Sequence, residues 1–323
     1  MGDLNVQELK LSRGSLSFTF TGNFAKNRWH ILCGPSGSGK TTLFRMLSGL
    51  LTPDSGTIRL GEQNIGLRAP HQRNISVMTQ ANALFPGISV NENLLLALHD
   101  SGETQKASGD RILEVTEALD LDPTMLQRAP NELSGGQISR FNLARALLRP
   151  CSWLLLDEPF AAVDRTTRLG ILTHLKRWQQ SRTLGIILVS HDLDDILSVA
   201  TDITVIEGGK IVESAPIDLA MARPSCKATA KALRSGAIIS KTDRYYFLPA
   251  QDAHLSASAV KCEDRYLKSH RFKDARAIRL GAVLRILDLE TDSDFTIPAS
   301  QSFSGEVWYD VRRLSELQDH DRD

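Results

Sequence analysis

The chain has 323 residues, enough for one large and one small domain, and its 38 Lys plus Arg balance 38 Asp plus Glu, so the formal net charge is zero. That balance argues against a general attraction to nucleic acid or to an anionic lipid surface. The four cysteines, Cys33, Cys151, Cys226 and Cys262, lie far apart without CxxC pairing, which argues against a zinc site and a disulfide framework and fits a reducing cytosol.

The N-terminal MGDLNVQELK has no apolar core of a signal peptide, and no run approaches the ~18 to 20 apolar residues of a membrane span, so a soluble chain is expected. LNVQELKL and SLSFTFTG, separated by Ser12, Arg13 and Gly14, predict a hairpin of alternating strands. WHIL is a third strand. It runs into LCGPSGSGKTTLFRML, where glycines give way to a helix ended by Ser48 and Gly49.

Gly34, Pro35, Ser36, Gly37, Ser38, Gly39, Lys40 and Thr41, followed by Thr42, satisfy GxxxxGK[ST] between a strand and a helix. This is a P-loop: backbone N–H groups cradle phosphate, Lys40 reaches the β- and γ-phosphates, and the Thr41 hydroxyl is a ligand for Mg²⁺. A plain glycine-rich turn would not need the Lys and Thr at these places.

Residues 88 to 130 read as largely helical, an interruption of the α/β pattern, and the helix after them opens on NELSGGQISRFNLARALL. Ile138, Phe141, Ala144 and Leu148 recur at helical spacing, and Ser134 with Gln137 forms a capping box. Two glycines inside that helix each cost roughly 0.5–1 kcal/mol relative to alanine, so Gly135 and Gly136 imply a close approach to the backbone. Phosphate is the usual guest of such an exposed helix start.

WLLL and LGIILV are buried-strand patterns, each followed by a helical stretch, as parallel βαβ units require. The first ends in Asp157 and Glu158, paired acids that a buried strand end does not carry without a partner. Mg²⁺ held by Asp157 supplies one, and Glu158 is placed as the base or positioner of an attacking water. The second ends in Ser190-His191-Asp192, putting His191 at the same sheet edge as a candidate γ-phosphate sensor, with a structural histidine as the alternative. After about residue 235 the texture changes to short strand-like pieces such as RYYFLPA, DFTIPA and GEVWYDVRR, and the terminal SELQDHDRD is polar and expected to fray.

P-loop, Gln80, LSGGQ, LLLDEP, Asp164 and His191 occur in the order in which the ATP-binding cassette family carries them, and residues 1 to 235 resemble that family. The resemblance implies an α/β P-loop NTPase fold with a helical insert at about 88–145 and an antiparallel β subdomain. It also implies that Gln80 touches Mg²⁺ and that Asp164 lies in a loop crossing a dimer interface. Ser134, Gly135, Gly136 and Gln137 would contact ATP bound by the other subunit of a head-to-tail homodimer. The segments LFPGISVNENL and VIEGGKIVESAPIDLAMARP resemble importer ATPase subunits. Such subunits dock on a separate integral membrane permease at the cytoplasmic face and work with a solute-binding protein. Residues 236–313 resemble, by pattern, a small oligonucleotide-fold-like (TOBE-like) accessory domain, with 314–323 a flexible tail.

Two departures from the family stand out. ISRF follows LSGGQ where relatives have a QQRV-like run, and the aromatic that stacks on adenine falls near Leu11, where there is neither Tyr nor Trp. Phe18 and Phe20 share a strand face with Leu16, expected to point into the core. A soluble ATPase of the same family acting on nucleic acid or ribosomes is the alternative function. It calls for a basic face or usually a second cassette, and neither is evident. A nucleotide switch without hydrolysis would be expected to lack Glu158 or His191.

Overall fold

The computed structural model describes residues 2–79, 84–99, 104–190, 199–222 and 224–233, and beyond these the backbone of the strands named below. Two compact units result, Met1–Ser214 and Ala215–Asp323.

The first unit is built on a ten-stranded sheet. β1 (Leu4–Arg13) and β2 (Leu16–Phe24) form the expected hairpin. Leu4 and Val6 are buried, and so are Leu9 and Leu11, which are out of phase with the first pair. Strict alternation cannot bury both pairs. A register shift between Val6 and Leu9, with Glu8 at φ 49°, restores the phase.

β3 (Trp29–Cys33) leads through the P-loop into α1 (Lys40–Ser48), and β4 (Ser55–Leu60), β5 (Gln63–Asn64) and β6 (Ile75–Met78) follow. Three helices form the insert: α2 (Val90–Leu98), α3 (Gln105–Ala118) and α4 (Gly135–Leu148), packed on one another. β7 (Trp153–Asp157), α5 (Arg165–Arg182), β8 (Gly185–Val189), β9 (Asp202–Glu207) and β10 (Lys210–Pro216) complete the unit.

The strand order is β5-β4-β1-β2-β10-β9-β3-β8-β7-β6. β9, β3, β8, β7 and β6 pair in parallel, and every residue of β3, β7 and β8 is buried, as a parallel layer covered on both faces requires. β1, β2, β4 and β5 pair antiparallel. The register sets the site. Leu32 and Asp157 both pair with Val189, and Met78 pairs with Leu156, so β3, β8, β7 and β6 all end at one edge. β8 lies between the P-loop strand and the strand that ends in the two acids.

In the second unit, α6 (Ile217–Ala222) and α7 (Lys227–Leu233) precede nine strands, β11 (Gly236–Lys241), β12 (Arg244–Pro249), β13 (Ala253–Leu255), β14 (Leu267–Arg271), β15 (Ala275–Leu280), β16 (Val283–Asp288), β17 (Ser293–Pro298), β18 (Glu306–Asp310) and β19 (Ser315–Leu317). They form a six-stranded sheet, β15-β16-β17-β11-β12-β19, and a three-stranded one, β13-β18-β14, with antiparallel pairing throughout. Ser315–Leu317, expected to fray, pairs with β12. This compact unit begins at Ala215, just ahead of α6.

Candidate functional site

The loop between β3 and α1 is shaped by glycines that no other residue could replace. Gly34 has φ +142°, and a Cβ there would lie 2.0 Å from the Ile206 carbonyl oxygen. Gly39, at φ +110°, packs against the Phe18 ring, 2.9 Å from where a Cβ would stand. The first turn of α1 has no side-chain cap and no acidic residue, so its N–H groups and positive dipole end are left for an anion.

Lys40 is 6% exposed and donates to the carbonyls of Gly34, at 2.8 Å, and Pro35, at 2.9 Å. Burial draws its pKa below the ordinary lysine value, while the charges of Cys33, Glu158 and Asp157 act in the opposite direction. Cys33 ends β3, and burial pushes its thiol up to about 12, which takes it out of nucleophilic chemistry.

A cleft of about 360 Å³ brings these parts together: Ser36, Gly37, Gly39, Lys40, Thr41 and Thr42 face Asp157, Glu158 and Val189 across it. Asp157 is buried at the end of β7. Glu158 takes φ 52°, a left-handed conformation uncommon outside glycine, and its N–H donates to the Val189 carbonyl at 2.9 Å. The carboxylate is thereby carried off the strand line into the cleft.

Sequence reasoning missed one wall of this cleft. Leu16, expected in the core, is 59% exposed and lines it, with Phe18 behind. Leu11 is fully in the core, opposite Phe18 in the hairpin, so Leu16 rather than Leu11 lines the cleft. Alternation was read correctly for Phe18 and Phe20, both buried. At Leu16 the strand has run past the edge of the core.

Ser134 caps α4 as expected: its Oγ accepts from Gln137 N–H at 3.3 Å and its N–H donates to Gln137 Oε1 at 2.9 Å. A Cβ at Gly135 would meet nothing within 4 Å, whereas one at Gly136 would lie 2.8 Å from the Ala162 carbonyl oxygen. The close approach implied by the glycine pair is thus intramolecular at Gly136, and Gly135 faces open space. None of Ser134 to Gln137 lines the P-loop cleft of their own chain.

Asp164 caps α5, accepting from Thr167 N–H at 3.0 Å, and that bond lowers its pKa. Gln80 and His191 lie outside the described residues. Thr79 and Ser190, which precede them, follow β6 and β8 at the common edge. Among the described residues no group of three His, Cys, Asp or Glu is arranged to hold a metal.

A wider cleft, of about 610 Å³, lies away from this chemistry. His71, Gln72 and Asn74 line one side, and Leu96 of α2 with Arg145 of α4 and Arg149 at its C-cap the other. Leu50 and Leu96 at its rim are half exposed, and the Arg145 guanidinium stacks 4.8 Å from the exposed Phe85 ring.

Residues 18–161 match the family described as ABC transporter. The molybdate/tungstate import ATP-binding protein WtpC of Thermococcus kodakarensis is 31% identical over 90% of this chain and 84% of its own. The Fe(3+) ions import ATP-binding protein FbpC of Pseudomonas fluorescens is 34% identical over 86% and 77%, and the thiamine import ATP-binding protein ThiQ of Photobacterium profundum 34% over 65% and 87%. The dimeric structure of MJ0796, a bacterial ABC transporter cassette, superposes with a TM-score of 0.60 at 22% identity over 66% of this chain and 98% of that one, a likeness of fold.

Proposed function

The chain belongs to the ABC transporter family as an import-type ATP-binding subunit with ATPase activity, and from that premise we propose that two copies close head to tail around two ATP molecules to drive a separate membrane permease. One observation carries the dimer. Among the described residues the starts of α1 and α4 are both suited to phosphate, and of these two the first alone faces its own P-loop cleft. The second, with Gly135 open to its surroundings, is free to meet the ATP of a partner.

In the occupied site Lys40 would exchange the neutral Gly34 and Pro35 carbonyls for negatively charged β- and γ-phosphate oxygens, so that both partners of each contact carry charge. The Thr41 hydroxyl and the Asp157 carboxylate, with Gln80 as the third expected oxygen donor, form a donor set of the kind that suits Mg²⁺. When bound, that ion neutralises charge on the triphosphate. Glu158 would orient the attacking water, His191 would sense the γ-phosphate, and Asp164 would lie at the dimer interface while capping α5.

The wide cleft between residues 70–78 and helices α2 and α4 supports the place of permease docking. Its half-exposed leucines offer an apolar rim for a partner helix, and Arg145 and Arg149 offer charge. No helix among the described residues is long and apolar enough to cross a membrane, so attachment at the cytoplasmic face would be peripheral and through the permease. Relatives named for an oxyanion, a metal ion and a vitamin support a motor whose chemistry is independent of cargo, which the permease and a solute-binding protein select.

Glu158→Gln tests the reading. The amide keeps shape and loses the carboxylate, so turnover should fall at least about a hundredfold while ATP binding persists. Light scattering after size separation should show a dimer with ATP and a monomer without it. Substantial hydrolysis by the variant would remove Glu158 from catalysis, and a folded variant that stays monomeric with ATP would refute the sandwich.

A further inference from the structure

Ser139 stands one turn into α4, and its Oγ donates to the Pro159 carbonyl at 3.1 Å. Pro159 directly follows Glu158, in the loop that runs to Asp164. Three residues earlier on the same helix face, Gly136 lets the Ala162 carbonyl of that loop come close. One side of the α4 start is therefore joined to the loop at two points, by a hydrogen bond and by a backbone approach that any side chain at Gly136 would obstruct.

Beside this junction is a second cleft, of about 190 Å³, which Gly135, Ser139, Ala161 and Ala162 line together with Glu158. Glu158 also lines the P-loop cleft. It is thus a shared wall, with its own chain's nucleotide cleft on one side and the start of α4 on the other.

We propose that Ser139 is a positioning residue that couples the two ATP sites of the dimer, passing the state of the Glu158–Pro159 backbone in one subunit to that subunit's α4 start, which serves the partner's ATP. The inference rests on the head-to-tail reading above. α4 is a 14-residue helix whose N-terminal N–H groups move with its axis. A shift of the Pro159 carbonyl as Glu158 responds to hydrolysis pulls on Ser139, while the Gly136–Ala162 contact acts as the pivot. Without the hydroxyl only that contact remains, and a contact without a hydrogen bond can slide.

The test measures the ATP dependence of hydrolysis by the purified full chain. A two-site dimer has a Hill coefficient bounded by about 2, and the wild type should lie clearly above 1. Ser139→Ala should bring it towards 1 with ATP binding and unfolding temperature little changed, because alanine suits a helix interior. Ser139→Thr should restore it, since the hydroxyl is kept and the cleft has room for the methyl. A wild-type coefficient of 1, an alanine variant that keeps the wild-type value, or a threonine variant that behaves like alanine each overturns the proposal. Sizing Glu158→Gln in parallel separates the two readings: no ATP-dependent dimer sinks both, whereas a dimer with unaltered cooperativity in Ser139→Ala sinks the coupling alone.

Discussion

Leu16 follows the tight turn of the first hairpin and presents an aliphatic wall at the mouth of the P-loop cleft. Stacking of a base on an aromatic ring is worth roughly 1–3 kcal/mol in nucleic-acid-binding proteins, and leucine supplies apolar contact without that geometry. Phosphate contacts should then dominate, leaving the affinities for ATP and GTP within about tenfold of each other, one decade being ~1.4 kcal/mol. Leu16→Tyr should raise ATP affinity by roughly tenfold with little change in kcat, because the base takes no part in the chemical step. Titration of both nucleotides decides it: a strong ATP preference in the wild type that vanishes in a folded Phe18→Ala variant would put the base on Phe18 instead. Why Leu16 escaped the sequence reading is physical. Alternation assigns a residue to a face, and only the extent of the layer packed on that face decides whether the position is covered.

At the scale of elements, α1 is held at both ends. Its N-terminus is the proposed phosphate cradle, and its C-terminus is held by Arg73, just ahead of β6, a buried guanidinium that no sequence motif singled out. Arg73 donates to the carbonyls of Met46, at 2.6 Å, Leu47, at 3.0 Å, Arg68, at 2.8 Å, and Gly66, at 2.7 Å. A cation at the negative end of a helix dipole is favourable, and it adds a donor to carbonyls of the last turn, of which Met46 also accepts from the capping Gly49 N–H. Burial draws the Arg73 pKa below its ordinary value. Arg73→Met would remove this donor from all four carbonyls at a cost of about 3 kcal/mol, which lowers the unfolding midpoint by on the order of 5–10 °C in a unit of this size. Arg73→Lys, keeping the charge but not the fork, should fall between. Calorimetry of the two variants tests this, and a methionine variant as stable as the wild type would show that water replaces the guanidinium without loss. The bulge in β1 was not read from the sequence either: alternation was expected throughout, and the shift between Val6 and Leu9 lets both apolar pairs reach the core.

For the whole molecule, every described residue assigned to chemistry lies within Met1–Ser214, as do the positions of Gln80 and His191 in the sequence. A chain ended after Arg234 keeps β10, whose residue Lys210 pairs with Thr19 of β2, and so preserves the full ten-stranded sheet. It should hydrolyse ATP at the rate of the intact protein, leaving the second unit to regulate or stabilise. A steady-state assay of both forms is the check, and an insoluble or inactive short chain beside an active intact one would show that the two units depend on each other.

The P-loop, the paired acids, the capped start of α4 and the strand–helix alternation were all determined by the sequence alone, because each depends on residues within a few positions of one another. Glycine, lysine and threonine at fixed offsets make a phosphate cradle, and Ser134 with Gln137 makes a cap, wherever the segment is placed. Tertiary structure alone decided that β8 separates the P-loop strand from the acids, that Leu16 rather than Leu11 reaches the cleft, that Gly136 makes room for Ala162, and that Arg73 holds the far end of α1. Each of these joins segments up to more than a hundred residues apart, or depends on where a packed layer ends. Periodicity reports which way a side chain faces, and only the assembled sheet and insert decide what it meets there.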